Sequence, residues 1–427
     1  MTTASHQILQ VFEHIVKAVP IGTNKALLQL MWALVSGAFL HSRGAVHSAL
    51  LQAGFEPGEI RRGWQALRYG VWSSDELLTH WRQWVTSETA WQPNQYEGWQ
   101  PLAIDLTTFW RPRLQGWVGR GYHQLAGRLL PGVSFAVIVQ VGQVASQRVP
   151  LLRKLIRAGE QAETETALKE QMLAWVRRHL GLDEVAICDA GVKLQQMQAA
   201  RVARFVLRRA RNCTMRRNVL PPRRGRGRPR EFGLLIRPTE RTFKKHKLLA
   251  STPDVCDSFT DDGVQIRVHG WRQVVRADQK VSTDNETFTL WVFFNPRYRH
   301  PLVLATNLEA SAATIYRLYC DRWPVEQVPL AAKQMLGLHR HFVFAPVSVW
   351  RLPELALLAG NILTILATIL PPIPSGYWDR RPKKLPAGFD EPSDCSFFQT
   401  LTPFRGDFVK KRPLLTTYRR ALTPIAE

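Results

Sequence analysis

Leu102-Ala103-Ile104-Asp105-Leu106 and Val185-Ala186-Ile187-Cys188-Asp189 are two short apolar runs, each carrying an aspartate at or near its end. Their length and composition predict buried strands. Between them, Phe135 to Val141 (FAVIVQV) reads as a stronger strand, and the spacing from Glu163 to Leu180 predicts a long amphipathic helix that Gly181 ends. Arg204 to Arg208 (RFVLR) is a further strand candidate. Strands interspersed with a crossover helix predict an α/β sheet.

Residues 1–95 carry apolar side chains at helical spacing, as in Ala26-Leu27-Leu28 and Leu30-Met31. Ser42 is expected to cap a helix through Val46 and Leu50, Gly54 to end it, and Pro57 to begin another containing Ile60, Trp64 and Leu67. Short helices with His41, Arg43, Arg61, Arg62 and Arg68 among them suit a helix-turn-helix style DNA-binding module, or equally a plain helical bundle. Tryptophans at 64, 72, 81, 84, 91 and 99 are expected to pack the joint to the next domain. Residues 212–230 form a basic Pro/Gly-rich break, and the alternating runs Val264 to Val275 and Thr287 to Phe294 predict a mostly β insertion over 212–300. Leu302 to Thr306 returns to a buried strand, with helices expected at 309–322, 324–337 and 350–370. From Pro371 onward nine prolines in 57 residues predict an irregular basic tail. The domain division is therefore 1–95, then 96–211 with 301–370, the insertion 212–300, and the tail 371–427.

The chain has 57 Lys plus Arg against 34 Asp plus Glu, a net charge of +23. Such self-repulsion points to a polyanionic partner, nucleic acid before a ribosome-like assembly or a membrane surface. Residues 201–250 hold 17 Lys plus Arg and two acids, Glu231 and Glu240, so the local net is 17 − 2 = +15. Within this belt, Gly227-Arg228-Pro229-Arg230 with Arg226 resembles an AT-hook core that enters a narrow minor groove. A flexible basic linker touching phosphates is the other reading. The five cysteines show no C-x-x-C spacing, which argues against a zinc site or a disulfide framework and suits a reducing cytoplasm, nucleoid-associated for a DNA-binding chain. No signal peptide is read at the N-terminus. The apolar run Leu355 to Leu370 is 16 residues, short for a membrane span, and reads as a core helix.

The chemistry rests on three acids. Asp105 and Asp189 are strand-borne carboxylates that one α/β sheet can bring to a shared edge, and hard oxygen ligands suit Mg²⁺. The third stands in YCDRWPVEQVPLAAK, where Tyr319, Arg322, Glu326 and Lys333 are spaced by three, four and seven. On an unbroken helix all four fall within roughly 60° of one face. Pro324 and Pro329 bend any such helix. Trp291, on the expected insertion, suits stacking on a flipped base or packing on a sheet face. Asp254, Asp257, Asp261 and Asp262 are expected in a solvated loop, and His339 and His341 on the surface, where they could face DNA.

Asp105, Asp189 and Glu326, with Tyr319-x2-Arg322-x3-Glu326-x6-Lys333, resemble the DDE transposases of bacterial insertion sequences. The subgroup is that with the Tyr-Arg-Glu-Lys signature, the insertion-sequence-four group. Thr107, Thr108 and Arg111 after the first aspartate, and Lys333 to Leu338 after the glutamate, agree with it over about residues 100–370. Pro329 departs from the pattern.

The resemblance implies a ribonuclease H-like core with a β insertion before the glutamate. It implies two Mg²⁺ or Mn²⁺ ions held by the three acids, binding of terminal inverted repeats, a homodimer at synapsis and cut-and-paste movement. Arg322 and Lys333 would then grip the phosphate beside the scissile bond, with Tyr319 ordering the same strand. A catalytically silent DNA-binding relative, or a nuclease of this fold that never joins strands, are the alternatives.

Overall fold

The computed structural model describes residues 3–42, 44–114, 117, 119–123, 126–144, 146–158, 164–222, 230–339 and 341–369. Its helices are α1 (Thr3–Val16), α2 (Ile21–Val35), α3 (Ala38–His41), α4 (Val46–Gln52), α5 (Pro57–Tyr69), α6 (Ser74–Glu88), α7 (Glu165–His179), α8 (Leu194–Ala199), α9 (Ala312–Cys320), α10 (Gln327–Leu330) and α11 (Pro346–Ile369). The longer strands are β2 (Gln100–Trp110), β4 (Arg128–Val144), β5 (Gln147–Arg157), β6 (Glu184–Cys188), β7 (Phe205–Arg209), β12 (Val255–Asp261), β13 (Val264–Arg276), β14 (Phe288–Phe294) and β15 (Leu302–Thr306). Shorter ones are β1 (Gln92–Pro93), β3 (Arg120–His123), β8 (Met215–Arg217), β9 (Leu235–Ile236), β10 (Arg241–Phe243) and β11 (His246–Leu248). The protein is thus a mixed α/β fold, as its sequence predicts.

The chain divides into two compact units, one from 1–94, 105–168 and 323 onward, the other from 95–104 and 169–322. In the first unit the N-terminal region is helical from Thr3 to Glu88, and the strand β1 falls within the stretch to residue 95 expected to be helical. Glu56 and Glu59 form a reciprocal capping box at the start of α5, beside Pro57. Ser42, expected as an N-cap, instead follows α3 and donates its hydroxyl to Phe39 O, while Ala45 stands at the start of α4. Gly44 and Gly54, both in the left-handed region, make the turns on either side of α4.

α11 is apolar around its whole circumference, so it can be stable only when enclosed. It is long and apolar enough to cross a membrane, yet 89% of its apolar window is buried against the rest of this unit. Its one fully buried amide, Asn361, accounts for three backbone or side-chain partners. Asn361 Oδ1 accepts from Trp81 Nε1 at 2.8 Å and from the Leu152 amide at 3.0 Å, and Nδ2 donates to Pro150 O at 2.6 Å. The Leu152 amide is available because the β4–β5 ladder shifts register between Ile138 and Val139, whose partners are Lys154 and Leu152. Asn361→Leu strands two donors and an acceptor in the core, and unfolding by denaturant is expected to register a loss of about 3 kcal/mol.

In the second unit the first half of β2 pairs in parallel with β6, and β6 in parallel with β7. β15, β14 and β13 continue the sheet antiparallel to one another, with β12 and β8 alongside β13. The segment expected as a β insertion therefore extends the same sheet. One face is covered by α9, whose Ile315, Tyr316, Leu318 and Tyr319 join a buried cluster with Val185, Ile187, Val206, Leu304 and Phe293. Asp257 and Asp261 lie on β12, paired with β13, rather than in a loop, while Asp254 precedes the strand and Asp262 stands exposed in the turn after it. Arg217 pairs with Asp254, Arg317 with Asp261 at 2.8 Å and Arg297 with Asp262 at 3.0 Å. The four described cysteines are free thiols.

Candidate functional site

Parallel pairing of β2 and β6 sets Ile104 opposite Cys188, and the residue after each is an aspartate. Asp105 lies within β2, which continues to Trp110, and Asp189 directly follows the last residue of β6.

Within the first unit, Asp105, Thr107 and Phe109 alternate along β2 and so share a face. The Asp105 carboxylate accepts from the Leu106 amide at 2.8 Å. Lys333 Nζ donates to Thr107 Oγ1 at 2.7 Å and lies 5.1 Å from the Phe109 ring centroid. Burial pulls the Lys333 ammonium down to about 8, and the nearby Asp105 charge opposes that shift. Lys333 is thus held in a buried place with a carboxylate, a hydroxyl and a ring face around it.

Within the second unit, Asp189 Oδ1 collects all its contacts. It accepts from the Ala190 amide at 2.7 Å, from Arg208 Nη1 at 3.4 Å and from Tyr319 Oη at 3.5 Å. Among the described residues Oδ2 has no partner, so one carboxylate oxygen is open to a ligand. Burial and the adjacent Asp189 push Tyr319 up to about 12, which keeps its hydroxyl a donor. Arg208 was not legible as a site residue. It follows Leu207, the partner of Cys188 on β7, and only that register reveals it as a neighbour of Asp189.

Tyr319 stands in the last turn of α9, and Arg322, 8% exposed, lies just past its end with its amide bonded to Tyr319 O at 3.0 Å. The helix expected over 324–337 is not a single straight one. Trp323–Glu326 is a 3₁₀ turn, Gln327–Leu330 one α turn, and Ala331–Met335 a π turn. Pro329 has no amide to donate to the turn before it, so the ladder changes pitch around it. The four-residue face drawn for an unbroken helix therefore does not apply: Tyr319 and Arg322 belong to α9 and its end, Glu326 and Lys333 to the segment beyond. Glu326 is half-buried at the end of the 3₁₀ turn. The π turn is tolerated because Gly360 of α11 faces it, where an added Cβ would stand 3.0 Å from the Ala332 amide nitrogen.

Carboxylate oxygens are hard ligands, so Asp105 in the first unit and Asp189, with its Oδ2, in the second each suit a divalent cation in chemistry. Among the described residues no three Asp, Glu, His or Cys side chains gather as a metal-holding group.

Of the remaining candidates, Trp291 is 7% exposed and lies over its cross-strand partner Gly270, where an added Cβ would stand 2.4 Å from the indole. It fills a sheet face. Arg226 and Arg228 lie outside the described residues, and Arg230 is exposed. Much of the basic belt is committed to the fold. Arg204 donates to Glu184 O at 2.9 Å, and Arg216 to Ala277 O at 2.8 Å and Gly233 O at 2.9 Å. His339 is exposed, but His341 is 1% exposed rather than on the surface. It stands edge-on to Phe109 at 6.0 Å, and burial with the neighbouring Arg111 pushes it down to about 3. Arg111 itself is buried, donating Nη2 to Val343 O at 3.0 Å. No family model matches this chain, and no curated protein matches it.

Proposed function

We propose that the protein is a DNA transposase that cleaves phosphodiester bonds at transposon ends and joins them to target DNA, with Asp105, Asp189 and Glu326 as its metal-holding acids. The observation that carries this reading is the pairing of Ile104 with Cys188 in adjacent parallel strands, each followed by an aspartate. The strand order supports a ribonuclease H-like core: β5, β4 and β2 are successive neighbours, and β2, β6 and β7 run parallel. The three acids would hold two Mg²⁺ or Mn²⁺ ions, which supply an activated water or 3′-hydroxyl and stabilise the departing oxygen.

The chain's own groups prepare that step. Asp189 keeps one oxygen open while the Ala190 amide, Arg208 and Tyr319 fix the other. Lys333, anchored on Thr107, offers a positive charge beside Asp105 to the phosphate next to the scissile bond. Arg322 would supply a fork-shaped donor to the same backbone. The net charge of +23 supports a DNA partner for these groups. A homodimer bridging two ends, and a location with the nucleoid, follow from the same reading.

The test is incubation of the full chain with Mg²⁺ and duplexes carrying the inverted repeats that flank its gene. Strand nicking followed by joining of pre-cut ends is the expected result. Nicking without joining identifies a nuclease instead, and binding without nicking a silent DNA-binding protein.

A further inference from the structure

The β10–β11 hairpin stands apart from the large sheet as a two-stranded ribbon of its own. Arg241 pairs with Leu248 and Thr242 with Lys247, and a two-residue turn of Lys244 and Lys245 closes it. Both turn residues lie in the left-handed region, with φ of 46° and 66°. A two-residue hairpin turn of this kind strongly favours Asn-Gly, since other side chains are strained there. The sequence nevertheless places two lysines in it. Backbone strain retained for two lysines at an exposed tip points to a function for them.

The rest of the ribbon agrees. Lys244, Lys245, His246 and Lys247 are all exposed, and Glu240 meets Lys247 at 3.2 Å. The base is fixed: Arg241 donates to Asn212 O, and Thr239 Oγ1 to Arg211 O at 2.8 Å. Three residues per strand project the tip about 10 Å beyond that base. The B-DNA major groove, about 12 Å wide and 8.5 Å deep, admits a two-stranded ribbon of that reach.

We infer that the β10–β11 hairpin is a duplex-DNA grip that inserts into the major groove, with Lys244 and Lys245 on backbone phosphates and no reading of sequence. The inference rests on the DNA reading above and deepens it, since it assigns the contact to an element outside the three acids.

The experiment uses the double variant Lys244→Asn with Lys245→Gly in the full chain. This change installs the turn residues that the backbone prefers, so the melting temperature is expected to hold or rise. Affinity for a fluorescein-labelled 30-base-pair duplex of arbitrary sequence is measured by anisotropy from 0.05 to 0.3 M salt. Loss of two phosphate contacts should weaken binding about sixtyfold at 0.1 M salt and flatten the log–log salt slope by about 1.8. Unchanged affinity and slope, beside a wild-type chain that binds steeply with salt, overturn the hairpin grip and leave the transposase reading standing. A wild-type chain that binds no duplex at all overturns both.

Discussion

Replacing Asp105, Asp189 or Glu326 by alanine is expected to lower metal-dependent strand cleavage by about a thousandfold or more, while binding of transposon-end DNA stays within a few-fold of wild type. The reason lies in charge. Divalent ions beside a phosphodiester need anionic oxygens to fix them, and in the proposed site each acid would supply a share of these. For Asp189 the substitution also frees Arg208 and Tyr319, whose bonds to Oδ1 are long and weak at 3.4 and 3.5 Å, so the fold should lose little. Arg208 and Asp189 are half-exposed, which confines their pairing to a small contribution. Thermal melting within a few degrees of wild type, with cleavage gone, is the pattern a ligand carboxylate produces. Normal cleavage by any one of the three variants removes that residue from the site.

Lys333→Met is expected to lower cleavage about a hundredfold and at the same time stabilise the protein at neutral pH. Burial holds the Lys333 ammonium at about 8, well below the lysine range, so the folded state carries an unfavourable charge at pH 7. The unfolded chain binds the proton more tightly than the folded one between about 8 and the ordinary lysine value. Stability of the wild type therefore rises with pH across that window, and the cost of the charge is present below it. Methionine fills a similar volume without the charge. Loss of the Thr107 bond and the Phe109 contact offsets part of the gain, leaving about 1 kcal/mol at pH 7 that fades toward pH 10. Cleavage by the wild type should fall as pH rises through 8, because the neutral amine no longer attracts a phosphate; Lys333→Met should show no such fall. A variant that is both inactive and less stable at pH 7 would assign Lys333 to the fold.

The sequence determined what depends on local pattern. Apolar runs of strand length fixed β2, β6 and β15, helical spacing fixed the N-terminal helices and α7, and an uninterrupted apolar stretch announced α11 as a core helix. It also singled out Asp105, which lies within β2, Asp189, which follows β6, and Lys333, which bonds Thr107. Tertiary structure decided what depends on partners distant in the chain. Val255–Asp261 became β12 by pairing with β13, and Arg217, Arg297 and Arg317 reach Asp254, Asp262 and Asp261 from outside any local window. Arg208 joined Asp189 through a parallel register, which side-chain order along one strand does not encode. The change of helical pitch after Cys320 required both the missing amide of Pro329 and the space that Gly360 leaves for it. Periodicity records which side a residue faces; only the assembled fold supplies the charge, hydrogen-bond partner or void that it faces.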